Sequence, residues 1–244
     1  MEALHHDHKE GFTLAYGLAQ LTGTAAVVMV VVWAGYYKGG FSWRSNPSVE
    51  FNWHPVLMLI GMVFLLGNGV MVYRAYPNFR KYHLKVTHAV MQIIAFILSV
   101  IGLQAVFDSH NLATPPIPNM YSLHSWIGLT AVILFACQFI SGFITFLFPG
   151  LKISLRSAYL PIHVYFGNMA FVCSVAAALL GMTEKAFFMQ TPKYSDLTSE
   201  TLLINFIGVA VVVFACLVMF ILTESKYKRQ PRPEDEILLG GGYE

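Results

Sequence analysis

The sequence predicts an all-α membrane protein with six transmembrane helices. Of its 244 residues, 56% are hydrophobic and only 11% are charged, whereas a soluble domain carries about a quarter charged residues. Six apolar runs are each long enough to cross a bilayer, which takes about 20 residues. Four consecutive runs contain one histidine each, close to the start of the run. Ionisable side chains inside a membrane are costly and usually functional, so these four histidines are the first feature to explain.

The limits of the apolar runs give the bounds of the six predicted helices. Helices 1 to 6 span Thr13–Tyr36, Trp53–Tyr73, Leu84–Phe107, Tyr121–Phe148, Ala158–Gly181 and Thr201–Thr223. The loops between them are short, so we predict one membrane domain, residues 13–223, between two cytoplasmic tails, residues 1–12 and 224–244. No stretch remains for a soluble nucleotide-binding domain.

Lysine and arginine residues indicate the orientation of the helices. If the N-terminus is cytoplasmic, the inner segments hold eleven of these residues and the outer loops hold four. Cytoplasmic segments are the ones enriched in Lys and Arg, so both termini are predicted to be cytoplasmic.

The first half of the chain alternates between the two faces of the membrane. The tail before helix 1 holds His5, His6 and His8, and we expect it to be disordered rather than a metal site. Helix 1 carries no ionisable residue and is predicted to be scaffold. Helix 2 starts outside, which places His54 near the outer face, and helix 3 starts inside, which places His88 near the inner face.

The second half repeats this alternation. An outer loop, Asp108–Asn119, contains His110 and three prolines. Helix 4 then starts outside, which places His124 at the outer level, and helix 5 starts inside, which places His163 at the inner level. Helix 6 is predicted to be scaffold again.

The four histidines therefore form two pairs at two depths. The two levels lie roughly 20 Å apart, from a rise of about 1.5 Å per residue and a core of about 30 Å. Four separate histidines, each hydrogen-bonded to a neighbour, would explain such matched depths poorly. Zinc needs four protein ligands, or three and a water molecule, whereas haem iron needs two axial ligands on opposite faces. Two histidines from facing helices of a bundle meet the second requirement at each level.

Two haems stacked across a membrane form a path for electrons. The chain has no domain that handles hydride, so the donor must be a small soluble molecule that gives single electrons. Lys81, Lys85 and Arg156 lie at the inner side and suggest an anionic donor, although the orientation rule alone also explains basic residues there. Gly128 and Gly167 follow His124 and His163 by four residues and so share a helix face with them, which leaves space for a flat macrocycle.

At this point the sequence resembles the cytochrome b561 family over nearly its whole length. The matching motifs are Phe51-Asn52-Trp53-His54-Pro55, Val72-Tyr73-Arg74, Ala105-Val106-Phe107 with His110, Asn119 through Trp126, Ser154-Leu155-Arg156, Pro161-Ile162-His163-Val164 and Gly181-Met182-Thr183-Glu184-Lys185.

The resemblance implies a fold, cofactors and partners. It implies two b haems in a four-helix haem-binding core of helices 2–5, with helices 1 and 6 peripheral. It implies cytoplasmic ascorbate as the electron donor and ferric iron or monodehydroascorbate as the acceptor on the other side. It also implies a homodimer in the lipid bilayer, and no nucleic-acid partner is expected.

The resemblance also assigns residues to each site. The outer haem would be bound by His54 and His124 and lined by Asn119, Met120, Tyr121, Ser122 and Glu184. The inner haem would be bound by His88 and His163, with Arg74, Lys81 and Lys228 as partners of its propionates. Ascorbate would contact Lys81, Lys85 and Arg156, and the ferric substrate would contact His110.

The C-terminal tail suggests an organelle. Glu234-Asp235-Glu236-Ile237-Leu238-Leu239 fits an acidic dileucine sorting signal, which favours the membrane of late endosomes or lysosomes over the plasma membrane or a secretory vesicle.

Three other functions remain open from the sequence. Regeneration of lumenal ascorbate by reduction of monodehydroascorbate is the first, and a transporter whose histidines relay protons is the second. An NADPH-driven membrane reductase is the third. It is disfavoured because those proteins place paired histidines on the same helices.

Overall fold

The computed structural model describes residues 2–189 and 193–230, with side chains from residue 11 onward. Within these ranges the chain is helical and contains no strand. Among the described residues, six helices are long and apolar enough to cross a membrane: α1 (Gly11–Tyr37), α2 (Pro47–Ala75), α3 (Lys81–Asn111), α4 (Leu123–Leu147), α5 (Ile153–Phe188) and α6 (Ser199–Thr223). The prediction of an all-α, six-span integral membrane protein is confirmed.

Several helices are longer than their apolar runs. The helical backbone continues on the N-terminal side of α1 as far as Glu2, so the predicted disordered tail is wrong over the residues that the structure describes. His110 lies in the last turn of α3 and not in a loop as predicted, because helical hydrogen bonding continues to Asn111. Hydropathy detects the part of a helix inside the bilayer, whereas the helix ends only where its backbone hydrogen bonds end.

Some predicted features cannot be placed. The dileucine-like segment, residues 234–239, lies outside the described residues, as do the side chains of His5, His6 and His8. The division into residues 1–12, 13–223 and 224–244 stays a prediction.

The bundle consists of three antiparallel helix pairs. Helix α2 packs along α3, α4 packs along α5, and α1 packs along α6. The α1–α6 pair lies against one side of the other four, with α1 and α6 both contacting α2 and α6 also contacting α5. Helices α2 to α5 therefore form a four-helix core with two peripheral helices.

Helix α6 shows how the sequence produces this packing. Its buried residues recur every three or four positions and form a stripe along one side of the helix. The stripe consists of Thr201, Ile204, Ile207, Val211, Phe214, Val218 and Ile221. Phe214 contacts Phe64 and Phe171 of the core, with ring centroids 5.9 and 6.2 Å apart. The opposite face of α6, including Phe206 and Val209, is exposed, as expected for a helix that faces lipid.

Candidate functional site

The outer histidine pair joins α2 to α4. The ring centroids of His54 and His124 lie 6.0 Å apart, with the rings nearly perpendicular. Nδ1 of His54 lies 3.1 Å from the carbonyl oxygen of Gly102, and Nδ1 of His124 lies 2.8 Å from that of Ala177. A carbonyl can only accept a hydrogen bond, so each Nδ1 carries the proton. Each ring therefore keeps the lone pair on Nε2, the nitrogen available to a metal ion.

The inner histidine pair joins α3 to α5. The ring centroids of His88 and His163 lie 6.3 Å apart at an interplanar angle of 75°. Nδ1 of His88 lies 2.8 Å from the carbonyl oxygen of Gly69, which selects the same tautomer as in the outer pair. Nδ1 of His163 is buried and has no hydrogen-bond partner in the described part of the chain. Phe146 lies beside this ring, with centroids 5.3 Å apart.

Both pairs fit the axial ligands of a haem iron. A bond from a metal ion to an imidazole nitrogen is about 2 Å long, and a ring nitrogen lies about 1 Å from its centroid, so two imidazoles on opposite sides of one ion have centroids about 6 Å apart. The observed separations of 6.0 and 6.3 Å match this value. Ligating histidines also commonly donate the other ring N–H to a backbone carbonyl, as three of these four do.

Four glycines lie against the four histidines, and sequence reasoning assigned this role to none of them. Carbonyl groups of Gly102 and Gly69 accept the hydrogen bonds from the histidines of α2 and α3. A Cβ atom on Gly142 would lie 2.6 Å from Cε1 of His163, and one on Gly181 would lie 2.7 Å from Cε1 of His124. Each histidine thus contacts a glycine on the antiparallel neighbour of its own helix.

The two glycines chosen from the sequence behave differently. A Cβ atom on Gly128 would have ordinary contact with Ala177, at 3.7 Å, and one on Gly167 would meet no protein atom within 4 Å. Gly167 therefore borders open space one turn from His163, as expected if a macrocycle lies there.

A cavity of about 400 Å³, called the outer cavity below, opens beside the outer histidine pair. Its lining includes His54, His110, Asn119, Met120, Tyr121, Ser122, His124, Glu184 and Lys185. All the residues predicted for the outer haem and for the ferric substrate therefore meet in one place. The segment before α4 is shaped by Met120, whose φ of 58° is left-handed and whose carbonyl accepts a hydrogen bond from Trp126. Ser122 then caps α4 by accepting from the backbone of Ser125.

His110 is oriented by a short polar chain. Its Nδ1 lies 3.0 Å from Oδ1 of Asn119, and Nδ2 of Asn119 donates to Oδ1 of Asn111 at 2.8 Å. Because the amide oxygen can only accept, Nδ1 of His110 carries the proton. Its Nε2 therefore keeps a lone pair that can bind a metal ion.

The predicted inner basic residues lie at helix ends near the inner pair. Lys85 donates to the carbonyl of Phe146 at 3.1 Å, and Nε of Arg156 is buried with no partner in the described residues. Lys81 is half-buried on the first turn of α3, and Lys228 is exposed beyond α6. The ascorbate and propionate roles of these residues stay predictions.

Arg74 has a structural contact that the sequence did not suggest. Its Nη1 and Nη2 atoms donate to the carbonyls of Glu224 and Leu222, both at 2.6 Å. Arg74 thus binds two carbonyls at the C-terminal end of α6, where a cation is also favoured by the helix dipole. Each Nη atom has a second N–H, so the predicted role toward a propionate is compatible with these bonds.

Two further features lay outside the predicted site. Glu50 is fully buried one turn before His54, and neither carboxylate oxygen has a hydrogen-bond partner among the described residues. Phe96 packs against Phe135 and Phe139 between the two histidine levels, with centroids 6.3 and 6.2 Å away. Glu50 was missed because it precedes the apolar run, and the phenylalanines were missed because aromatic residues are ordinary in a membrane helix.

Comparisons with known proteins agree with this arrangement. The profile of the eukaryotic cytochrome b561 family matches residues 53–189, which include all four histidines. A transmembrane ascorbate-dependent reductase of Sus scrofa is 42% identical over 220 residues, 90% of this chain and 86% of the pig protein. A lysosomal membrane ascorbate-dependent ferrireductase of Bos taurus is 44% identical over 216 residues, 86% of this chain and 80% of the bovine protein. A putative transmembrane ascorbate-dependent reductase of Caenorhabditis elegans is 36% identical over 233 residues, 92% of this chain and 88% of the worm protein.

Proposed function

Because the chain belongs to the eukaryotic cytochrome b561 family, we propose that it carries electrons from cytoplasmic ascorbate, through two b haems, to ferric iron on the other side of a membrane. The observation that carries this proposal is the occurrence of two facing histidine pairs at two depths of one bundle. A bound haem supplies one-electron exchange at its iron. The protein's part is to hold two such groups at fixed depths and to bind a substrate at each end.

His54 and His124 would hold the outer haem, and His88 and His163 the inner one. If two histidines hold each iron, a substrate would not bind the iron itself. Substrates are therefore expected to exchange electrons from the two ends of the bundle, beside the haem edges.

The inner end suits an anionic donor. Lys85 and Arg156 form no ion pair within the described ranges, and both lie near the inner histidines. Unpaired cations attract an anion such as ascorbate, both on approach and in contact. Lys81, on the same helix end as Lys85, extends this positive surface.

The outer cavity suits the acceptor. Nε2 of His110 is a free imidazole nitrogen, which is a good ligand for iron. The name of the bovine relative supports ferric iron as substrate. Monodehydroascorbate is the second candidate, and Lys185, a cation in the lining of the same cavity, favours such an organic anion.

Orientation, compartment and assembly belong to the same proposal. The excess of Lys and Arg supports cytoplasmic termini. The name of the bovine relative and the dileucine-like segment support a late endosomal or lysosomal membrane. The homodimer rests on the family resemblance alone.

Two measurements test the proposed function. The purified protein is reduced with ascorbate, and haem and protein are quantified together with the reduced-minus-oxidised spectrum. We expect two haems per chain, both reducible, whereas one haem per chain would overturn the assignment of the pairs and no haem absorbance would favour the proton-relay transporter.

Sealed vesicles loaded with ascorbate are then given ferric chelate or monodehydroascorbate outside. Reduction by internal ascorbate supports the direction, and the faster acceptor identifies the substrate.

A further inference from the structure

Lys185 differs from the other cations at the outer end of the bundle. Lys38 forms an ion pair with Glu200 at 2.5 Å, and Arg44 forms one with Asp108 at 2.8 Å. The hydrogen bond and the charge of the Asp108 carboxylate also raise the pKa of Arg44. Lys185 has no carboxylate within ion-pair distance in the described part of the chain. It is also the only Lys or Arg among the described residues that line the outer cavity.

The ammonium group of Lys185 is held beside the outer histidine pair by an aromatic ring. Its Nζ lies 4.1 Å from the ring centroid of Phe51, which is a cation–π contact. The ring of Phe51 lies 6.1 Å from that of His54. A cation–π contact fixes the position of the ammonium but leaves its positive charge uncompensated.

Glu184 does not compensate this charge. It also lines the outer cavity, but it precedes Lys185 directly on α5, and successive side chains of a helix point about 100° apart. The two side chains form no ion pair. Glu200, the anion whose charge acts on Lys185, is paired with Lys38. A half-buried cation without a carboxylate in contact is costly, so a ligand that supplies one would be favoured.

We propose that Lys185 is a binding residue for a carboxylate in the outer cavity, and that Phe51 positions its ammonium group. This inference rests on the proposed function. The carboxylate has two sources in that function, a propionate of the haem held by His54 and His124, or a carboxylate of the organic chelator that carries the ferric substrate.

The experiment compares three variants in the full-length protein. Lys185→Gln removes the charge, Lys185→Arg keeps it, and Lys193→Gln removes an exposed outer lysine that does not line the cavity. Three quantities are measured: the midpoint potential and occupancy of the outer haem, and the outward electron transfer from ascorbate-loaded vesicles to ferricyanide and to hexaammineruthenium(III). These acceptors are an anion and a cation. Two haems and outward transfer in the wild type verify the proposed function independently of Lys185.

The two sources give different results. If Lys185 binds the substrate anion, Lys185→Gln lowers the second-order rate with ferricyanide at least about fivefold, because fivefold is the factor for two unit charges at contact in water and ferricyanide carries three negative charges. The rate with hexaammineruthenium(III) then does not fall, and the potential is unchanged. If Lys185 binds a propionate, the potential of the outer haem shifts downward or that haem is lost, and Lys185→Arg restores it.

Two results would overturn the inference. In the first, Lys185→Gln and Lys193→Gln have the same midpoint potential of the outer haem and the same ratio of the ferricyanide rate to the hexaammineruthenium(III) rate. Lys185 would then be an ordinary helix-end lysine. In the second, Lys185→Gln and Lys185→Arg lose the outer haem equally. The shape of the Lys185 side chain would then matter, and its charge would not.

Discussion

Replacing Gly142 by alanine tests how the bundle holds the inner histidine pair. The added Cβ atom would lie 2.6 Å from Cε1 of His163, whereas no such contact exists in the glycine protein. An ordinary contact between two carbon atoms is about 3.5 Å, so the imidazole must move by about 1 Å. Bonds to metal ions tolerate deviations of about 0.2 Å. We therefore predict that Gly142→Ala lowers the occupancy of the inner haem and leaves the outer haem in place.

The size of the effect follows from the cost of overpacking. One extra methyl group in a packed interior costs about 1–3 kcal/mol, which corresponds to about a 5- to 150-fold weaker binding of the group that His163 holds. Haem content is measured per protein, and redox titration with EPR separates the two haems. Gly181→Ala is the mirror test, because its Cβ atom would lie 2.7 Å from Cε1 of His124, so the outer haem should be lost instead.

Gly17→Ala is the matched control. A Cβ atom there meets nothing within 4 Å, and alanine also favours a helix over glycine by about 1 kcal/mol. We expect both haems in this variant. If Gly142→Ala also keeps both haems with unchanged spectra, the contact between Gly142 and His163 does not position the ligand, and the reasoning fails.

Three other predictions concern the macrocycle and the two substrates. Gly167→Leu should lower the inner haem content although no protein atom lies near its Cβ, because the macrocycle occupies that space; full haem content would contradict this placement. Lys85→Ala and Arg156→Ala should each raise the ascorbate concentration for half-maximal haem reduction about fivefold, the factor for one lost charge pair. The haem content should be unchanged. If stopped-flow reduction shows an unaltered ascorbate dependence, these residues only help to orient the helices in the membrane. His110→Ala should slow ferric reduction in ascorbate-loaded vesicles without affecting haem reduction from inside. Asn119→Leu should slow ferric reduction less, because this change frees the imidazole of His110 without removing it. Wild-type rates in both variants would refute a role for His110.

The fold and the pairing of histidines could be predicted because both follow from alternation. Consecutive helices cross the membrane in opposite directions, so a histidine near each helix start falls alternately at the outer and inner level. His54 and His124 meet for this reason, and no knowledge of side-chain packing is needed. The helix bounds were less predictable, because polar residues such as Asp108 and His110 extend a helix into water without changing the apolar run.

Contacts between helices explain what the sequence did not reveal. Gly128 and Gly167 were chosen by their spacing from a histidine on the same helix. The glycines that contact histidine rings, such as Gly142 and Gly181, lie on the neighbouring helix, and their register depends on how two helices slide against each other. A spacing of four residues from a histidine on the same helix does not reveal that register.

In this register, each core helix carries its histidine at one level and, at the other level, a glycine that contacts the neighbour's histidine. On each core helix the histidine and the glycine that contacts the neighbour's histidine are 14 to 18 residues apart: His54 and Gly69, His88 and Gly102, His124 and Gly142, His163 and Gly181. At a rise of about 1.5 Å per residue this is about 21–27 Å, the separation of the two levels. Each antiparallel pair of helices therefore supplies one ligand and one glycine to each level. A sliding movement of either pair would disturb both levels at once, so the packing that fixes one histidine pair also fixes its distance to the other, which is the distance an electron would cross in the proposed function.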